Sequence, residues 1–221
     1  MVRIAVLVAA VCLTTVSNAT HAAPRDDQAL IAAAGKGDLA GIARLIAGGA
    51  SVTARDNRGR TALLAATHAN QVAAARALIA AGADVNAKDD IEDSPYLYAG
   101  AEGRTEILTM TLDAGADLKS VNRYGGTALI PAAHHGHPQA VRILLGTAID
   151  KDHVNKLGWT ALLEAVILGD GGPTHTEIVR LLVEAGANVN LADRDGVTPL
   201  AHAKRRGFGE MARILESKGG K

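Results

Sequence analysis

Asp195-Gly196-Val197-Thr198-Pro199-Leu200 is a turn running directly into a helix start. Asp193-Arg194-Asp195-Gly196 has the residue types of a tight turn. Thr198 can cap a helix by accepting a hydrogen bond from an unpaired backbone N–H. Pro199 sits where a helical N–H has no partner, so its missing donor costs nothing. The same start recurs at Thr61-Ala62-Leu63, Ser94-Pro95-Tyr96, Thr127-Ala128-Leu129 and Thr160-Ala161-Leu162. Thr61, Ser94, Thr127 and Thr160 follow one another at steps of 33, and Thr198 comes 38 after Thr160. Counting back 33 from Thr61 reaches Gln28-Ala29-Leu30, a degenerate first copy, which makes six units.

Two further landmarks recur in phase. Gly82-Ala83-Asp84-Val85-Asn86, Gly115-Ala116-Asp117-Leu118 and Gly186-Ala187-Asn188-Val189-Asn190 mark the ends of second helices. Gly37, Gly103, Gly136 and Gly207, with Asn70 in the second unit, stand between the helices, where a left-handed residue ends a helix. Each unit therefore reads as helix, tight turn, helix, hairpin-like loop. Apolar residues follow helical spacing: Leu129, Ala132 and Ala133 on one helix, Val141, Leu144 and Leu145 on the next. No unit can bury such a face alone, so the units must stack.

These stretches resemble the ankyrin-repeat family, and the likeness runs from Asp26 to Gly219. The resemblance implies an all-α solenoid of L-shaped helix-turn-helix units, with residues 24–56, 57–89, 90–122, 123–155, 156–193 and 194–221 as its repeats. It also implies that loop tips and first helices form a concave protein-binding side. Three departures stand out. The family's His after the Leu of Thr-Pro-Leu is replaced by Leu64, Leu97, Ile130, Leu163 and Ala201, which points to packing in place of a loop-tying bond. The third unit has Glu92 where the turn glycine belongs, and carries Tyr96 at a core place and Tyr98 offset from it. The fifth unit has five extra residues around Gly169, Asp170, Gly171, Gly172 and Pro173. They read as a defined loop and not a longer helix, either a contact finger or a tolerated lengthening.

Phase also picks out a candidate face. Ile91, Arg123, Tyr124, Lys156 and Leu157 fall on loop tips, with Trp159 just behind them. Tyr98, Glu102, His134, His135 and Glu164 fall on first helices of the same side. Clustered Tyr, Trp and Arg are what interface hot spots use. For Trp159 and Tyr98 a second reading stands beside this one: rings packed within the stack.

Met1-Val2-Arg3, an apolar stretch from Ile4 to Val16 and small residues up to Ala23 match a secretory signal with cleavage after Ala19, Ala22 or Ala23. The 13 apolar residues are too few to span a bilayer, so no stable membrane anchor is expected after cleavage. Cys12, the sole cysteine, lies in this segment, so the mature chain has no disulfide and no thiol nucleophile. Zero net charge and the lack of a basic block speak against nucleic acid. His134, His135 and His137 lack the spacing of a metal site, and no phosphate loop or catalytic set can be assembled. Neither cofactor nor metal is expected. The expectation is an exported, monomeric, non-catalytic scaffold with a protein partner that the sequence does not name. Its likeness to periplasmic bacterial ankyrin proteins implies an adaptor with a role in stress protection; an immunity-type inhibitor of a secreted toxin and a self-associating structural protein are the alternatives.

Overall fold

The computed structural model describes residues 24–221. The export segment expected at residues 1–23 lies outside the described residues. Six helix pairs follow in order: α1 (Pro24–Lys36) and α2 (Leu39–Ala47), α3 (Ala62–His68) and α4 (Val72–Ala80), α5 (Pro95–Ala101) and α6 (Thr105–Asp113). Then come α7 (Leu129–His134) and α8 (Pro138–Leu145), α9 (Ala161–Ile167) and α10 (Pro173–Glu184), α11 (Pro199–Arg205) and α12 (Gly209–Ser217). No strand occurs among the described residues. First helices pack in series from α1 through α3, α5, α7 and α9 to α11, and second helices from α2 to α12. The result is two helical layers with one continuous core between them.

That core is made of small and medium aliphatic groups. Leu63, Leu129 and Leu162 from the first layer meet Leu78, Leu144 and Leu182 from the second, all fully or almost fully buried. Each such Leu contributes about 1.5–3 kcal/mol of burial. Small residues set the spacing of the first layer. A methyl group added to Gly100 of α5 would stand 2.9 Å from the Ala128 Cβ of the next unit.

The loops are built on one device. The side-chain oxygen of Asp56, Asp89, Asn122, Asn155 or Asp193 accepts hydrogen bonds from the backbone N–H groups two and four residues on, at 2.9–3.1 Å. Neighbouring tips are then laced together. Asp90 N–H donates to the Arg58 carbonyl at 3.1 Å, and Lys156 N–H to the Tyr124 carbonyl at 2.9 Å. Long cations add to the lacing. Lys88 reaches the Val121 carbonyl at 2.6 Å and Lys156 the Arg123 carbonyl at 2.9 Å, while Arg194 binds the Lys156 carbonyl. Glu92 takes the turn-glycine position at φ +65°, a left-handed conformation that a side chain disfavours.

Three expectations need correction. Thr61, Ser94, Thr160 and Thr198 cap their helices with side-chain oxygens 3.2 Å from the N–H three residues on, but Thr127 does not. The cause is Pro131. In the capped units the carbonyl of the cap residue accepts from the N–H four residues on, and proline has none to give. The Thr127 carbonyl takes the Ile130 N–H instead, at 3.1 Å, and the buried Thr127 hydroxyl is left without a partner.

The second correction concerns the missing family His. Its loop-tying bond is not simply replaced by packing; in the last two units it comes from the next residue along. Asn155 Nδ2 donates to Glu164 Oε1 at 2.7 Å, and His202 Nε2 lies 2.6 Å from Asp193 Oδ2. The third is the insertion, which does lengthen a helix. Pro173 is a helical N1 residue after an extended Gly172, and α10 has 12 residues where α2, α4, α6 and α12 have 9. The remaining extra residues fold back onto unit six. Arg206 donates to the Gly169 carbonyl at 2.9 Å, and Gly171, at φ +74°, lies so close to the Phe208 ring that a side chain there would collide with it.

Candidate protein-binding face

A depression of about 490 Å³ lies between the loop tips and the first helices of units two to five. It brings together Ile91, Tyr98, Glu102, Arg123, Tyr124, His134, His135, Leu157 and Glu164, all picked out by phase in the sequence. Lys156 and Trp159 are not among its lining residues. Lys156 is exposed but engaged with the Arg123 carbonyl. Trp159 is half-buried, and its backbone closes the Asn155 turn in both directions at 3.0 Å. A second depression, lined by Gln28, Ile31, Asp56, Arg60 and Ala65, continues the groove into units one and two and shares His68 with the first.

The tips supply an apolar ridge. Ile91, Tyr124 and Leu157 are the second residues of three successive turns, and they are 50%, 53% and 48% exposed. Arg58 and Asp195 hold the same position in the flanking turns, so the ridge has a cation at one end and a carboxylate at the other. Arg123 stacks over the Tyr124 ring at 4.8 Å and pairs with Asp93 at 3.6 Å, which fixes the central tip.

The first helices supply the floor. The residue four beyond each helix cap lies here: Ala65, Tyr98, Pro131 and Glu164. Tyr98 stacks on His68 of the preceding unit, ring centroids 3.8 Å apart, and also lines the depression. His135 donates to the Ala101 carbonyl at 2.8 Å, which ties unit four to unit three. Burial pushes the imidazoles of His68 and His134 below their usual pKa and favours their neutral forms. No cluster able to hold a metal ion is found among the described residues.

Glu164 is the unusual group. It is only 5% exposed, and burial lifts its carboxyl pKa to about 7, against the opposing hydrogen bond from Asn155. Its Oε2 has no hydrogen-bond partner among the described residues; the nearest ring nitrogen is His134 Nδ1 at 3.6 Å, in an imidazole whose neutral form burial favours. The sequence places Glu164 on this side, whereas Leu168, next to the extra residues of the fifth unit, is not among the positions picked out by phase. Leu168 is 41% exposed and lines the depression. Its position one residue past α9, equivalent to Glu102 and His135 in their units, carries that information.

The sequence model for ankyrin repeats (3 copies) matches residues 6–89, 96–193 and 150–221. The chain belongs to the ankyrin-repeat family. An ankyrin repeat domain from Acinetobacter baumannii AYE superimposes with a TM-score of 0.84 at 57% identity, covering 87% of this chain and 98% of that one. The ankyrin repeat protein EF0377 gives 0.83 at 43% identity, covering 86% and 97%. The ankyrin repeat domain of Bcl-3, a member of the IkappaB family, gives 0.79 at 29% identity, covering 87% and 86%. In sequence, YahD of Escherichia coli (strain K12), named as an ankyrin repeat protein, is 48% identical over 56 residues, which span 28% of that protein and 25% of this chain. As a family member, this protein carries the architecture of a protein-binding scaffold. No described helix is long and apolar enough to cross a membrane.

Proposed function

We propose that this ankyrin array is a non-catalytic scaffold that works outside the cytoplasm and holds a protein partner on the face of loop tips and first helices. The observation that carries this reading is the ridge of Ile91, Tyr124 and Leu157 standing over a groove that runs through successive units. Rigid aromatic and aliphatic side chains exposed beside a groove are suited to become the desolvated centre of an interface. The signal-like segment at residues 1–23 supports action after export, and a role in stress protection is part of the same proposal. The last unit of the array favours a monomer over a self-stacking polymer. On α12, Glu210 pairs with Arg213 at 2.6 Å and with Arg180 at 3.2 Å, while Glu216 pairs with Lys204 at 2.7 Å, so the last unit presents a charged exterior.

Affinity capture from an exported fraction, read by mass spectrometry, tests the reading. The captured protein should be lost when Tyr124→Ala and Leu157→Ala are combined, with the helical circular dichroism unchanged. A partner retained by that double variant would move the working surface elsewhere. Recovery of only the unprocessed chain in the cytoplasm would defeat the export assignment.

A further inference from the structure

We propose that the depression on this face is a socket for one cationic side chain, a Lys or Arg, presented by an apolar stretch of the protein partner. The inference rests on the protein-binding reading above and gives it a chemistry. Three carboxylates line the depression, Asp93, Glu102 and Glu164, against a single guanidinium, Arg123. Arg123 is already committed to Asp93 and to the Tyr124 ring. An anionic group entering here would meet the carboxylates without a free cation to receive it. A cation would meet complementary charge in a partly dehydrated site, where pairing is stronger than at an open surface.

Glu164 supplies the specific contact. It is 95% buried by its 5% exposure, yet it lines the depression. Asn155 holds one of its oxygens at 2.7 Å and so fixes the direction of the carboxyl group. The other oxygen has no hydrogen-bond donor among the described residues. A mostly buried carboxyl group whose vacant oxygen opens only onto the depression is completed by an ammonium or guanidinium entering there. The apolar part of the occupant follows from the rim. Ile91, Tyr124 and Leu157 stand along one side, and Leu168 lies beside Glu164. The methylene stem of a Lys or Arg suits such walls while its head reaches the acid.

The test uses the immobilised full chain and a phage library of random 12-residue peptides. Selected peptides are synthesised and titrated against the parent protein, Glu164→Gln, and the Tyr124→Ala/Leu157→Ala pair. Gln keeps an oxygen for Asn155, so the fold is expected to survive, and circular dichroism checks this. The expected result is a Lys or Arg fixed at one position among apolar residues. Glu164→Gln should then weaken binding by about tenfold to a hundredfold. Changing the peptide's fixed cation to Gln should cost a similar factor, and the two changes should not add. Peptides that need Tyr124 and Leu157 but show no fixed cation, or bind Glu164→Gln equally well, would overturn the socket and leave the protein-binding face standing. Peptides indifferent to all three residues, or no selected peptides at all, would overturn both.

Discussion

Replacing Glu164 by Gln should stabilise the protein at neutral and mildly alkaline pH and leave it unchanged in acid. The unfolded carboxyl titrates near its ordinary value of 4.5, whereas the folded one is held near 7 by burial. Between those values the folded state binds more protons than the unfolded state, so raising the pH removes stability. Below pH 4.5 both states are protonated and the penalty is absent; above 7 it is complete. At 1.36 kcal/mol for each pKa unit the full penalty is roughly 3 kcal/mol. Gln imitates the protonated acid and escapes it. His68, His134 and His137, whose pKa values burial lowers, act in the opposite direction and lose stability as the pH falls through their unfolded value near 6.5. They are common to both proteins, so the difference between parent and variant isolates Glu164. Thermal melts at half-unit steps from pH 4 to 8.5 should show the two melting temperatures together at the acid end. They should diverge to about 6–12 °C at the alkaline end, with the variant higher. A difference that stays flat from pH 5 to 8 would refute the reasoning. It would mean that His134, 3.6 Å away, carries the proton and Glu164 is ionised throughout.

Glu92→Gly should raise stability by about 1 kcal/mol in urea titration, because it removes a side chain from a left-handed position; a lower midpoint would show that the Glu92 side chain has a compensating role. Gly171→Ala should destabilise unit six, since the added methyl would collide with the Phe208 ring at a positive φ, and amide exchange in α12 should accelerate while exchange in α3 does not. Asn155→Ala removes two turn bonds and the Glu164 partner together, so a loss of about 2–4 kcal/mol and a further rise of the Glu164 pKa are expected, the latter read from the carboxyl carbon by NMR.

The repeat was legible because its signals are local. A capping Thr, a turn glycine and an apolar pair act within a few residues, and a period near 33 multiplies them. The face was legible for the same reason: once the phase is known, Ile91, Tyr124 and Leu157 must stand in one row. What escaped depends on who answers whom across a unit. Pro131 is visible in the sequence, but its consequence for the Thr127 hydroxyl requires following one displaced N–H. The Asn155–Glu164 tie substitutes a bond from the neighbouring position for the one the family pattern leads a reader to seek. Trp159 has the residue type of a hot spot, yet side-chain type does not say which way a ring leaves the turn.

The lacing of the loop tips has a consequence for how such a chain can change length. Each tip bonds to the tip one unit away, and these bonds recur with the period of the repeat. Duplication or loss of one whole period in the gene would join tip to tip as before. A shift of a few codons within a tip would misalign the bonds that tip makes with its two neighbours. The five additional residues of the fifth unit lie at the opposite end of the helices, in the turn after α9 and the first turn of α10. Arg194 still reaches the Lys156 carbonyl across an interval of 38 residues. The architecture thus separates a margin where insertions can accumulate from a seam where only whole modules can be exchanged.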